Sequence, residues 1–124
     1  MTNFREFVLS SGKVARAGKD SQQNDELVSS SKRNDTLLHT QEPGSPFVNV
    51  GEKPTRDEIK EAAVFCALKS QDWRNNHRSV KVNVFLKDDC VKPRGMKSGS
   101  WTVRKYSETL NVKKTEILKL EENI

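Results

Sequence analysis

Residues 55–87 leave this chain the least freedom. Thr55-Arg56-Asp57-Glu58 has the spacing of a capping box, with Glu58 placed to reach back to the Thr55 amide. Behind it Ile59, Ala63, Cys66, Ser70 and Trp73 recur at helical spacing, while Lys60, Glu61, Lys69 and Asp72 fall largely outside that stripe. The small residues Ala62, Ala63 and Ala67 let such a helix lie close to a sheet. The pattern predicts one long helix over about 55–75, ending near Asn75-Asn76. Val80, Val82, Val84 and Leu86 then alternate with Lys81, Asn83, Phe85 and Lys87, which is a strand with one face in a core.

The remaining segments are shorter. Residues 5–9 and 13–17 read as strands joined in a hairpin at Ser10-Ser11-Gly12. Gly18-Lys19-Asp20 breaks that pattern, and Asp20 or Ser21 caps a short helix over about 21–29. Strands at 36–40 and 47–50 flank Gln41-Glu42-Pro43-Gly44-Ser45-Pro46, where the Pro-Gly pair marks a tight turn. Residues 101–104 alternate as a partner strand for 80–87, and 109–112 and 116–120 read as two further strands. Strands and helices do not alternate regularly. The expected class is therefore α+β: a mainly antiparallel β-sheet with one long and one short helix packed on it, in a single domain of 124 residues.

Hydrophobic residues make up 33% of the chain and charged ones 31%, so the core is expected to be small. The net charge of +5 favours an anionic partner: RNA, DNA or a membrane surface. No apolar run approaches a membrane span and no apolar signal core opens the chain, so a soluble, cytoplasmic protein with no membrane association is expected. Cys66 and Cys90 are too few for a disulfide framework. Together with His39 and His77 they match no zinc spacing, and Cys66 on the helix stripe reads as a core thiol. There is no Gly-x-Ser-x-Gly elbow, and neither Gly12-Lys13 nor Gly18-Lys19 completes a phosphate-binding loop. Asp88-Asp89 is better read as a turn than as an acid–base pair, since neighbours on a strand point apart. The sequence thus offers no catalytic residue, cofactor or metal site.

Charge is concentrated in the second half. Residues 74–105 carry Arg74, Arg78, Lys81, Lys87, Lys92, Arg94, Lys97, Arg104 and Lys105 against Asp88 and Asp89 alone. Within them Val91-Lys92-Pro93-Arg94-Gly95-Met96-Lys97-Ser98-Gly99 is a basic loop whose glycines let backbone amides approach phosphates. Trp73, Trp101 and Tyr106 are aromatic surfaces on which bases can stack, although the periodic pattern places both tryptophans in the core.

Four blocks, in order, resemble the RNA-binding domain NFACT-R. They are Gly18-Lys19-Asp20-Ser21-Gln22-Gln23-Asn24-Asp25-Glu26-Leu27-Val28; Asp35-Thr36-Leu37-Leu38-His39 followed by Pro43-Gly44-Ser45; the helix Glu61-Ala62-Ala63 through Ser70 to Trp73; and the 91–99 loop. Together they cover most of residues 5–112. The chain departs from the family pattern where Leu37 or Leu38 replaces a common aromatic and where Pro46 replaces a histidine after Pro-Gly-Ser. The resemblance implies a stand-alone, non-enzymatic RNA-binding domain taking tRNA or ribosomal RNA in translation or ribosome-associated quality control, with the large ribosomal subunit as one candidate partner. On that reading Lys92, Arg94 and Lys97 hold phosphates, and Lys19, Gln22 and Asn24 add polar contacts. His39 either contacts RNA or hydrogen-bonds the Pro43-Gly44 turn. A protein-interaction module whose basic face docks an acidic partner is the alternative, and both monomer and homodimer are compatible with the chain.

Overall fold

A computed structural model describes residues 3–124. Its elements are β1 (Arg5–Val8), β2 (Val14–Ala17), α1 (Ser21–Ser30), β3 (Asp35–Thr40), β4 (Val48–Glu52), α2 (Arg56–Leu68), α3 (Gln71–Asn76), β5 (Val80–Leu86), β6 (Cys90–Val91), β7 (Thr102–Val103), β8 (Glu108–Val112) and α4 (Lys114–Asn123). Six strands form one sheet in the order β1-β2-β4-β3-β5-β8, with every neighbouring pair antiparallel. The class is α+β, as the sequence predicts.

Alternation along the strands divides the sheet between two faces. Leu38, Val48, Val50, Val80, Val82, Val84 and Val112 join Ala62, Ala63, Phe65 and Cys66 of α2 in the main core. The opposite parity places Leu37 and Phe85, which are cross-strand partners, in a second core with Leu27 and Val28 of α1 and with Phe47. Lys81, Asn83, Thr109 and Asn111 share that second face beyond the cover of α1. The result is an apolar side under α2 and α4, and a second side that is covered only in part.

Local signals built the starts of both predicted helices. The Asp20 carboxylate accepts from the Gln23 amide at 2.8 Å, and Thr55 and Glu58 close their capping box. The α1 entry also needs a glycine, because a Cβ on Gly18 would lie 2.2 Å from Asn24 Oδ1 and 2.8 Å from the Asn24 amide nitrogen. Asn24 Oδ1 in turn accepts from the Phe47 amide at 3.0 Å, which ties α1 to the segment leading into β4.

Three expectations are corrected. The predicted helix over 55–75 is two helices, α2 and α3, broken at Ser70. Buried Ser70 Oγ donates to the Ala67 carbonyl at 2.6 Å and accepts from the Trp73 amide at 3.1 Å, while the Gln71 amide turns away to the Gly44 carbonyl at 2.8 Å. Residues 116–120 are helical, within α4. Glu116 Oε1 accepts from the Lys113 amide at 3.0 Å, and Ile117 and Leu120, three apart, both face the main core. The 101–104 segment does not pair with β5. Its β7 pairs with β6 in a separate two-stranded ribbon, because a 3-10 turn at Lys87–Asp89 carries the chain out of the sheet, and β8 takes the place beside β5.

Candidate nucleic-acid interface

The β6–β7 ribbon and the loop between its strands form an arm that folds back over α1. The hub of that contact is the Asp25 carboxylate. It accepts from Lys92 Nζ at 2.7 Å, from the Gly99 amide at 2.9 Å, from Ser98 Oγ at 3.0 Å and from Trp101 Nε1 at 3.0 Å. Lys92 Nζ also donates to the carbonyls of Lys97 and Ser100 and sits 5.0 Å above the Trp101 ring. Gly99 makes the approach possible, with φ at +80° and no room for a Cβ, which would lie 2.7 Å from that of Ser21. Burial pushes the Asp25 pKa up, but the bonds from Lys92, Gly99, Ser98 and Trp101 outweigh it and hold the carboxyl below its ordinary value.

Between the arm, the first turn of α1, residues 39–47 and the start of α3 lies an open cleft of about 830 Å³. Aromatic rings line its base. His39 lies on Phe47 with centroids 4.5 Å apart, Phe47 meets Phe85 edge-on at 6.2 Å, and Tyr106 meets Phe85 edge-on at 5.9 Å. Its walls carry the cations Arg5, Lys19, Lys69, Arg74 and Lys97, and Asp20 is the one carboxylate among them. Asp20 is already occupied as the α1 cap. A concave surface with this balance attracts polyanions.

His39 is held within the cleft differently from the expectation. Its Nδ1 lies 2.7 Å from the Thr40 carbonyl, and no bond runs to the Pro43-Gly44 turn. A carbonyl only accepts, so Nδ1 carries the proton. Burial pushes the ring pKa below its ordinary 6.5, and the hydrogen bond to Thr40 opposes that shift without cancelling it. The neutral ring then presents Nε2 as an acceptor. The turn is fastened instead by Ser45 Oγ accepting from the Thr40 amide at 3.0 Å and by Thr40 Oγ1 donating to the Glu42 carbonyl at 2.6 Å.

A pH dependence follows from His39. Its folded pKa is depressed, so the native state binds fewer protons than the unfolded chain in the window below 6.5. The stability from this site is complete above that value and falls as the pH drops through the folded pKa, by at most about 1.4 kcal/mol per unit for one proton. Urea midpoints of the wild type are expected to fall between pH 7.5 and 5.5, and His39→Gln is expected to flatten that fall. An equally steep fall in the variant would assign it to other groups.

Lys19, Asn24, His39 and Lys97 of the sequence-predicted set come together around the cleft. Asn24 is buried there with its side-chain oxygen engaged by Phe47. Lys92 sits behind the loop, bonded to Asp25, and its part in this structure is to fasten the arm. Gln22 lies outside the cleft, reaching toward Glu26 at 3.5 Å, and Arg94 stands exposed at the loop tip. Trp73 is core as expected, and Trp101 is half-buried with its Nε1 on Asp25. Cys66 is core too, its thiol pushed up to about 12 by burial. Sequence reading missed Arg5, Lys69 and Asn83 as cleft residues, because the fold delivers them from three separate elements. Among the described residues no group of three or more His, Cys, Asp or Glu side chains is placed to hold a metal ion. Nor is any helix among them long and apolar enough to cross a membrane.

These features define an α+β domain with a basic, aromatic-based cleft on the less covered face of its sheet. Residues 3–105 match the family model described as the NFACT protein RNA binding domain, and the chain belongs to that family. No curated protein matches the chain significantly. Among solved structures, that of the C-terminal of the fibronectin/fibrinogen-binding protein from Streptococcus suis is similar, with a TM-score of 0.80 at 26% identity. The similarity covers 96% of this chain and 49% of that one, so the chain spans about half the length of that structure.

Proposed function

We propose that this chain acts as one RNA-binding domain, non-enzymatic, taking tRNA or ribosomal RNA into the cleft in translation or ribosome-associated quality control. The observation that carries the reading is the convergence of Arg5, Lys19, Lys69, Arg74 and Lys97, from separate elements, around one aromatic-based cleft. Cations fix the phosphate backbone and rings offer stacking surfaces, which is how proteins hold RNA strands. Membership of a family described by RNA binding supports it.

A salt titration of tRNA binding tests it, with duplex DNA of matched length in parallel. The wild type is expected to prefer tRNA. Replacing Lys19, Lys69 and Lys97 together by Gln is expected to reduce the slope of log affinity against log salt by up to about two to three. Lys114→Gln, on α4 across the sheet, is expected to leave the slope alone. An unchanged slope in a folded triple variant would remove the cleft as the contact surface. Equal, weak binding to both nucleic acids that vanishes as salt rises would leave only phosphate attraction and favour docking of an acidic protein.

A further inference from the structure

The cleft holds more than a phosphate-binding surface needs. Tyr106 is 49% exposed although its ring meets buried Phe85 in a T-shaped contact, so aromatic surface is kept in solvent beside the basic rim. His39 and Asn83 are cross-strand partners in the β3–β5 register, and both line the same cleft. The neutral His39 ring presents an acceptor at Nε2, since Nδ1–H is committed to the Thr40 carbonyl. Asn83 Oδ1 accepts from Thr109 Oγ1 at 2.7 Å, which fixes the amide so that its NH₂ is the group left to donate. An acceptor and a donor on adjacent strands, next to an exposed ring, match the edge and face of a nucleobase. Phosphates, which only accept, have no use for the His39 acceptor.

The geometry points to a subsite for one unpaired RNA base, stacked on Tyr106 with its edge toward His39 and Asn83. This rests on the RNA-binding reading and narrows it. RNA with bases free of pairing is the ligand, and a continuous duplex, whose base edges and faces are occupied, does not fill the cleft. The backbone then runs along the rim, where Lys19 and Lys97 meet it.

Fluorescence anisotropy at one fixed ionic strength tests the subsite with three labelled RNAs of equal phosphate count: a hairpin with unpaired loop bases, the same hairpin with an abasic loop, and a full duplex. The intact hairpin is expected to bind tightest, by roughly 5- to 150-fold over the abasic one, the range for one stacked base. Tyr106→Ala should bring the intact hairpin down to the abasic level, and Tyr106→Phe should retain the wild-type affinity. Equal, salt-sensitive binding of intact and abasic hairpins by the wild type would overturn the base subsite while leaving RNA binding in place. Absence of binding to all three would overturn both. The wild-type comparison of intact with abasic RNA decides the matter whether or not the alanine variant folds.

Discussion

Asp25→Ala is expected to weaken RNA binding, although it removes a negative charge from a basic face. Electrostatics at long range predicts the opposite, because one fewer carboxylate raises the positive potential. The local structure decides the sign. Four donors from the arm end on this one carboxylate. Its removal takes that acceptor from the Gly99 amide, Ser98 Oγ and Trp101 Nε1 and leaves Lys92 with only the Lys97 and Ser100 carbonyls of its own arm. Both partners of the Lys92 ion pair have side chains 26% exposed, so water replaces part of what is lost. The expected cost is roughly 1.5–3 kcal/mol of stability, in the range of a charged hydrogen-bonded group. The larger consequence is a released arm, and with it a cleft wall that carries Lys97. Hydrogen exchange at the Gly99 amide reads this directly: its protection should be lost in the variant. A protected Gly99 amide, or a rise in tRNA affinity, would show that the arm holds its place without Asp25. The same anchor sets an acid limit. The folded pKa of Asp25 lies below 3.8, so its contribution is complete above that value and is lost as the pH falls through the lowered one.

Phe85→Ala carries the largest expected loss of stability, roughly 3–5 kcal/mol. Phe85 is 1% exposed and is central to the smaller core, meeting Phe47 on one side and Tyr106 on the other. The other buried members of that core are Leu27, Val28, Leu37 and Phe47, with Phe4, Cys90, Trp101 and Val103 partly buried against them. Phe85→Leu conserves more volume and is expected to cost under about 1.5 kcal/mol. Urea unfolding of both variants measures the difference. A loss near 1 kcal/mol for the alanine variant would mean that α1 and the arm are only loosely coupled to the sheet.

What could be read in the sequence was local. The capping residues Asp20 and Thr55, the turn at Gly12, and the one-sided pattern of β5 are each settled by residues a few positions apart. The break at Ser70 was missed because its local part, a serine capping the Trp73 amide, sits within an unbroken helical stripe, and its other part is the Gly44 carbonyl meeting Gln71 across the fold. Residues 116–120 are too few to separate a two-residue from a helical period, and the useful sign was Glu116 standing three after Lys113. The basic loop was visible as charge, but the division of its cations was not. Lys92 fastens the arm because an aspartate 67 positions earlier lies beneath it, whereas Lys97 lines the cleft. His39 was singled out from its motif, and of its two readings the bond to the Pro43-Gly44 turn is replaced by one to the neighbouring Thr40 carbonyl.

The parity of β3 and β5 has a consequence for how this domain can diverge. Leu38, Val82 and Val84 serve the main core, while His39 and Asn83, one position away, line the cleft. A substitution at an odd position such as 39 or 83 changes the ligand surface without altering the packing against α2. Relatives can therefore drift in what they recognise while positions such as 38, 82 and 84 keep the fold, and the two demands meet at residues such as Phe47 and Phe85 that belong to both the cleft and the smaller core. Adaptation to a new RNA should be concentrated in the former positions and absent from the latter.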